Sequence, residues 1–307
     1  GRRRRDPPPP SRGLMAALTA ISTRSLEYLE CAYGDPLATV GGCVRGLFTA
    51  APGHELMCSD YSAIEAVVLA ALAGEKWRLD VFNTHGKIYE MSASKISGVP
   101  FEEIDAKLRK SLGKVAELAS GFGGWIDAWK RFGADKHFDD DSQIKNAILA
   151  WRAASPSIVE FWGGQYRRIG SGWNFRHEYH GVEGAAIKAI LTPGRDYFYR
   201  SVKFCALDDV LYCYLPSGRP IAYHEPRLFP TVDRMSKQPA YKITYMGHNT
   251  DSTKGPVGWI RMSTYGGKLT ENIVQSVARD IFAAALVRLE RAGYRPVLHS
   301  HDEPVGE

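Results

Sequence analysis

The chain has 307 residues, 44% hydrophobic and 24% charged, enough to bury the core of one large domain or two modest ones. No run of about 18 apolar residues occurs, and the N-terminus has no signal-type apolar stretch, which argues against a membrane span and against secretion and leaves the cytoplasm as the expected compartment. The formal net charge of +5 is carried largely by the arginines at 2–5, so composition is compatible with a polyanionic partner without requiring one.

The arginines at 2–5 and prolines at 7–10 read as a low-complexity, extended leader. Residues 14–32 have helical character until Gly34, Asp35 and Pro36 break it. A short strand over 55–59 leads into Asp60, and the alanine-rich apolar run 64–73 predicts a helix. From about 76 to 205, helical periodicity rich in Lys, Arg and Trp predicts a mainly helical insert, clearest over 101–118 and 142–168, with Trp77, Trp125, Trp129, Trp151 and Trp162 packing it. Strands return at 210–215, 220–224 and 241–245, punctuated by Pro216, Ser217 and Gly218. Gly266 and Gly267 precede an amphipathic helix over 269–292, with Ile273, Val277, Ile281, Ala284 and Leu289 on its expected buried face. A strand over 296–300 follows. The chain then passes His301, Asp302 and Glu303 and stops at Glu307, sooner than a domain end is expected, as in a truncated sequence. The five cysteines show no CxxC pair and read as reduced, mostly buried thiols. His177 and His180 are spaced like metal ligands but lack a second pair.

Two blocks carry chemistry at strand ends: Cys58-Ser-Asp60-Tyr61-Ser62-Ala63-Ile64-Glu65-Ala66 and His299-Ser-His301-Asp302-Glu303. An Asp at a strand-to-helix junction is ordinarily an N-cap, and Asp-Glu in a turn is ordinarily solvated. Two such carboxylates on neighbouring strands of one sheet can instead hold two Mg²⁺ ions roughly 3.5–4 Å apart, serving both oxygens of an in-line phosphoryl displacement. Polymerases and nucleases share that geometry. A third block runs from Arg109 to Gly124, in which Lys110, Lys114, Leu118 and Phe122 recur every four residues and would share one helical face. Cations at one end can meet phosphates, while an apolar side chain and a ring further along can meet a sugar and a base.

These blocks resemble the family A DNA polymerases, the bacterial polymerase I type, and are most similar to the phage-encoded branch. Asp60 to Glu65 is similar to that family's motif A, Lys110 to Gly123 to motif B, and His301-Asp302-Glu303 to motif C, in the family's order. The resemblance extends over Arg45-Gly-Leu-Phe-Thr-Ala-Ala-Pro-Gly53, Leu215-Pro-Ser-Gly-Arg219 and Gly266-Gly-Lys-Leu-Thr-Glu-Asn272-Ile-Val-Gln275. It implies an α+β, right-hand polymerase fold. A leader and N-terminal helix (1–35) would precede an antiparallel-sheet palm, built from 36–75 and a truncated 206–307, that holds mainly helical fingers (76–205).

The implied activity is template-directed transfer of deoxynucleotides onto a DNA primer by a monomer, in phage replication, with no membrane partner. Asp60 and Asp302 would bind two Mg²⁺ (or Mn²⁺) ions, and Glu303 would support them. Lys114 would neutralise charge on the transferring phosphate, and Arg109 or Lys110 would grip the outer phosphates. Tyr61 and Ser62 would touch metal or triphosphate, Arg45 would anchor the triphosphate region, and Glu65 would exclude a 2′-hydroxyl. Leu118 would lie against the sugar and Phe122 near the template base. Gln275, His301 and Lys268 would contact DNA. The chain departs from the family pattern at Lys110 and Val67, where Arg is usual, at Phe122, where Tyr is frequent, and at Pro304, which resists the strand expected there. Other classes that the residues accommodate are a silent nucleic-acid-binding remnant and a two-metal nuclease, which has no use for Lys114 or Glu65.

Overall fold

The computed structural model describes residues 13–171, 174–232 and 239–307, so the leader expected at 2–10 lies outside the described residues. The elements begin with helices α1 (Leu14–Ser22), α2 (Leu26–Tyr33) and α3 (Pro36–Cys43), strand β1 (Met57–Cys58), and helices α4 (Ile64–Ala73), α5 (Lys76–Thr84) and α6 (Ile88–Ser97). After α7 (Ala106–Leu108) comes a π-helical segment, Arg109–Lys114, continuing into α8 (Val115–Ser120). Helices α9 (Ile126–Arg131), α10 (Asp141–Ala154) and α11 (Pro156–Trp162) precede strands β2 (Gly164–Ser171) and β3 (Asn174–His180) and helix α12 (Gly181–Leu191). Strands β4 (Tyr197–Tyr199), β5 (Val202–Leu207), β6 (Val210–Tyr214), β7 (Pro220–Val232), β8 (Pro239–Asn249) and β9 (Gly258–Thr264) lead to α13 (Gly266–Arg291), β10 (Pro296–Ser300) and β11 (Glu303–Gly306). No helix among the described residues is long and apolar enough to cross a membrane.

Several expected elements are subdivided for local reasons. The helix expected over 14–32 is two, because Arg24 takes φ 55° and Ser25 caps α2 by accepting from Tyr28 N at 3.1 Å. Asp35 caps α3 in the same way, with Pro36 in the first turn. The segment 142–168 does not run through: Pro156 starts a new helix, Gly163 (φ 73°) ends it, and 164–168 are strand. The insert over 76–205 therefore carries the hairpin β2–β3 as well as helices, and the boundary expected at 205/206 falls inside β5. On α13 the buried positions are Gly266, Gly267, Leu269, Thr270, Ile273, Val274, Phe282 and Ala285. Ile281 and Ala284 are exposed, because the buried stripe drifts at the 3.6-residue period. Of the tryptophans, Trp129, Trp151 and Trp162 are buried, while Trp125 stays 38% exposed. The cysteines are all free, but Cys31 and Cys58 are exposed; burial pushes the Cys213 thiol up to about 12.

The chain forms two compact units, Gly1–Asp60 with Leu286–Glu307, and Tyr61–Ala285. The smaller unit holds α1–α3 and a three-stranded antiparallel sheet in the order β1-β11-β10. The larger holds a six-stranded antiparallel meander in the order β4 to β9. One face of this meander, with Val202, Phe204, Leu211 and Cys213, joins α4, α8 and α10–α12 in a continuous core.

The π-helical segment lies against α6 at Gly113, where an added Cβ would collide with the backbone carbonyl oxygen of Tyr89. Gly113→Ala is therefore expected to cost about 1–3 kcal/mol. Thermal unfolding would report this as a fall of about 2–4 °C per kcal/mol, and an unchanged midpoint would contradict the close approach.

Candidate functional site

The strand before Asp60 is short because only Met57 and Cys58 find partners, Gly306 and Val305 of β11. Ser59 N extends the pairing by donating to Pro304 O at 3.2 Å. Continued by one residue, the antiparallel register sets Asp60 level with Glu303, at the end of the sheet where His301 and Asp302 turn β10 into β11. His301 makes that two-residue turn with φ 54°, a left-handed conformation that histidine tolerates better than most side chains. One end of one small sheet thus carries both aspartates.

Asp60 is exposed and caps nothing. The N-cap of α4 is Ala63, in the left-handed region at φ 54° and without a side-chain cap, three residues beyond the carboxylate. A left-handed alanine costs about 1–2 kcal/mol, and an ordinary Asp or Asn cap would avoid that cost. Asp302 is half-buried in its turn. Glu303 accepts from Arg45 Nη2 at 3.2 Å, so the arginine expected at the triphosphate is engaged with the motif C glutamate. The Arg45 side chain is 64% exposed, and an ion pair so open contributes little to stability.

Pro304 does not interrupt its strand. It sits inside β11, the central strand, opposite His299 of β10, and its carbonyl accepts from Ser59 N just past β1. A proline there forfeits only its own N–H, and the pairing with β1 ends one residue further on, so the ladder loses little. Among the described residues no cluster of three His, Cys, Asp or Glu side chains forms a metal cage. Two carboxylates suffice for Mg²⁺, which keeps waters and substrate phosphates as its remaining ligands. The open, uncapping Asp60 and the paired strand end fit that requirement.

The larger unit carries the other expected residues. Tyr61 is half-buried, edge-on to Phe282 with ring centroids 6.4 Å apart, while Ser62 and Glu65 are exposed. The basic stripe differs from an ideal helix face. Lys110 and Lys114 lie within the π-helical segment, whose wider turn shifts their offset, and Phe122 lies past the end of α8 in a turn. Arg109 donates to Glu90 at 2.8 Å and lies over the Tyr89 ring, which engages the expected phosphate grip elsewhere. Lys110 is exposed and Lys114 half-buried, and neither meets a carboxylate among the described residues. Leu118 is 42% exposed. On α13, Gln275 is exposed and Lys268 pairs with Glu271 at 2.9 Å. The side chain of His177 lies outside the described residues.

What holds the basic helix has no signature in the sequence. Glu117, on α8 between Lys114 and Leu118, has a side chain only 4% exposed and forms an ion pair with the fully buried Arg78 of α5. Ser92 and Trp151 Nε1 also donate to Glu117, the latter at 3.0 Å, and Arg78 Nη2 donates to Ser155 at 2.9 Å. The partners come from α5, α6 and α10, so no local pattern announces them. The turn after α8 is held as closely: Trp162 Nε1 donates to Gly121 O at 2.8 Å, and Arg152 reaches the carbonyls of Gly123 and Gly124. Gly267, entering α13, abuts the Phe122 carbonyl so tightly that a Cβ would collide with it.

Comparison with known proteins gives a consistent picture. A profile of DNA polymerase family A matches residues 36–117. The DNA polymerase of Bacillus phage SP02 is 42% identical over 281 residues, covering 91% of this chain and 39% of the phage protein. DNA polymerase I of Mycobacterium bovis is 36% identical over 96 residues, 31% of this chain and 10% of that protein. The chain thus spans well under half the length of these relatives. The POL domain of Pol1 from M. smegmatis, solved in complex with a DNA primer-template and dNTP, superposes with a TM-score of 0.50 at 18% identity, over 87% of this chain and 36% of that one. That likeness supports the mixed helical and antiparallel fold.

Proposed function

The chain belongs to family A of the DNA polymerases, and from that premise we propose that it carries the nucleotidyl-transfer centre of a DNA-directed DNA polymerase, which extends a primer 3′-OH with deoxynucleotides in phage replication. The observation that carries the reading is the β1–β11 register, which sets Asp60 at the same sheet end as Asp302 without committing it to a helix cap.

Asp60 and Asp302 would hold two divalent cations, Mg²⁺ by preference, which when bound supply charge neutralisation for the attacking and leaving oxygens. The protein's own residues do the rest. Glu303, steadied by Arg45, keeps negative charge beside the pair. Lys114 and Lys110 meet the triphosphate; both lack carboxylate partners among the described residues and so remain open to an anion. Lys114 is the better placed by burial to offset charge on the phosphate being transferred, since a half-desolvated ammonium acts in a lower dielectric. Lys110 contributes a point charge in place of the bidentate grip that arginine would give. Glu65, on the first turn of α4, blocks a 2′-hydroxyl. Leu118 lies against the sugar, Phe122 near the template base, and Gln275, Lys268 and His301 along the DNA.

The test is primer extension by the purified full chain on a primed template with Mg²⁺, using four deoxynucleotides in one arm and four ribonucleotides in the other. Template-dependent extension with deoxynucleotides alone is expected. DNA binding without extension would favour a silent remnant, and strand cleavage without extension a nuclease.

A further inference from the structure

Arg152, half-buried on α10, forms no ion pair with a carboxylate among the described residues. Its guanidinium carbon lies over two indoles, 4.8 Å from the Trp125 ring centroid and 5.6 Å from that of Trp162. Its hydrogen bonds go to two backbone carbonyls, Gly123 O at 3.3 Å and Gly124 O at 3.5 Å, and its Nε is buried with no partner. Charge-assisted bonds to a proper anion run nearer 2.7–2.9 Å, about half an ångström shorter. The carboxylates that act on the nearby Tyr265 are engaged elsewhere: Glu183 accepts from Gly266 N at 3.0 Å, and Glu271 holds Lys268 at 2.9 Å. Burial works against the charge, pushing this guanidinium below its ordinary value, and the nearby Tyr265 phenol only partly offsets it. A desolvated charge held by long bonds to neutral carbonyls is under-compensated, and an anion arriving at the site would relieve it.

Two further features indicate which anion. Trp125 and Tyr265 are 38% and 51% exposed, and both border the turn that carries Arg152's carbonyl partners; the Tyr265 ring lies against Gly123. A cation flanked by open aromatic rings is the combination that binds single-stranded nucleic acid, with phosphate on the cation and bases stacked on the rings. We propose that Arg152 binds a backbone phosphate of single-stranded nucleic acid, with Trp125 and Tyr265 as stacking faces for its bases. Under the polymerase reading, on which this identification of the strand rests, it is the unpaired template ahead of the primer.

The experiment measures binding of the full chain to primer-template with a single-stranded 5′ overhang, and to the matching blunt duplex, across a series of salt concentrations. For the overhang substrate, Arg152→Gln is expected to flatten the slope of log K against log salt by about 0.7, the share of one single-strand phosphate. Arg152→Lys, which keeps the charge, should restore it. A role confined to bracing the turn would lower affinity without changing the slope. Trp125→Ala removes an exposed ring, and it should weaken overhang binding about ten-fold while leaving blunt duplex unaffected. This variant carries the test should Arg152→Gln fail to fold. A slope unchanged in folded Arg152→Gln, or Trp125→Ala binding the overhang as wild type does, overturns the proposal. The two readings separate: extension with an unchanged slope defeats this inference alone, and a slope that depends on Arg152 without extension defeats the polymerase reading alone.

Discussion

Asp302→Asn is expected to lower the single-turnover rate of primer extension by about 10³-fold or more, the upper range for losing one preorganised electrostatic group, while the fold keeps its stability to within about 1 kcal/mol. The change preserves the size of the side chain and removes only its charge, and charge is what two divalent cations require. Asp60→Asn should do the same, and if the two aspartates act on one metal pair as proposed, the double variant should lose little beyond either single one. An Asp302→Asn protein that extends primers within ten-fold of wild type would remove the carboxylates from the chemistry.

Glu117→Ala should be the most destabilising single change in the larger unit. It strands Arg78, whose side chain is 1% exposed, as a buried charge without its counter-ion, and breaking such a pair costs about 3–5 kcal/mol. Whole-domain stabilities are typically about 5–15 kcal/mol, so chemical denaturation should show a large shift in midpoint. Replacing both partners together, Arg78→Met with Glu117→Leu, should recover much of the loss, because an apolar pair of similar volume avoids the desolvation penalty. If the double variant is as unstable as Glu117→Ala, burial of the ion pair is not what governs the cost.

What the sequence made legible was local or periodic. The helix over Ile64–Ala73 and the strand over Pro296–Ser300 fall where their apolar patterns put them, and the two carboxylate blocks could be singled out as strand ends. The π-helical segment carries no local signal, and the contact it makes at Gly113 is with the backbone of Tyr89 in another helix. Pro156 divides the segment over 142–168 despite its helical periodicity, since proline cannot continue a helix but readily begins one. Arg109 and Arg45 read as free cations until their carboxylates, Glu90 and Glu303, came within reach in three dimensions. Arg152 carries no signal in the sequence, because a lone arginine on an amphipathic helix is ordinary until the indoles around it are known.

The connectivity of the two sheets separates when each can form. Strands β4 to β9 pair only with their sequence neighbours, so the meander closes short loops and can assemble early. The β1–β11 pairing joins segments so distant that its neighbouring contact, Arg45 to Glu303, spans 258 positions, and its closure entropy is met only once the intervening chain has condensed. The two aspartates proposed as metal ligands are therefore expected to come together late and to part early. Mild denaturant should silence catalysis while most of the helical and sheet signal persists.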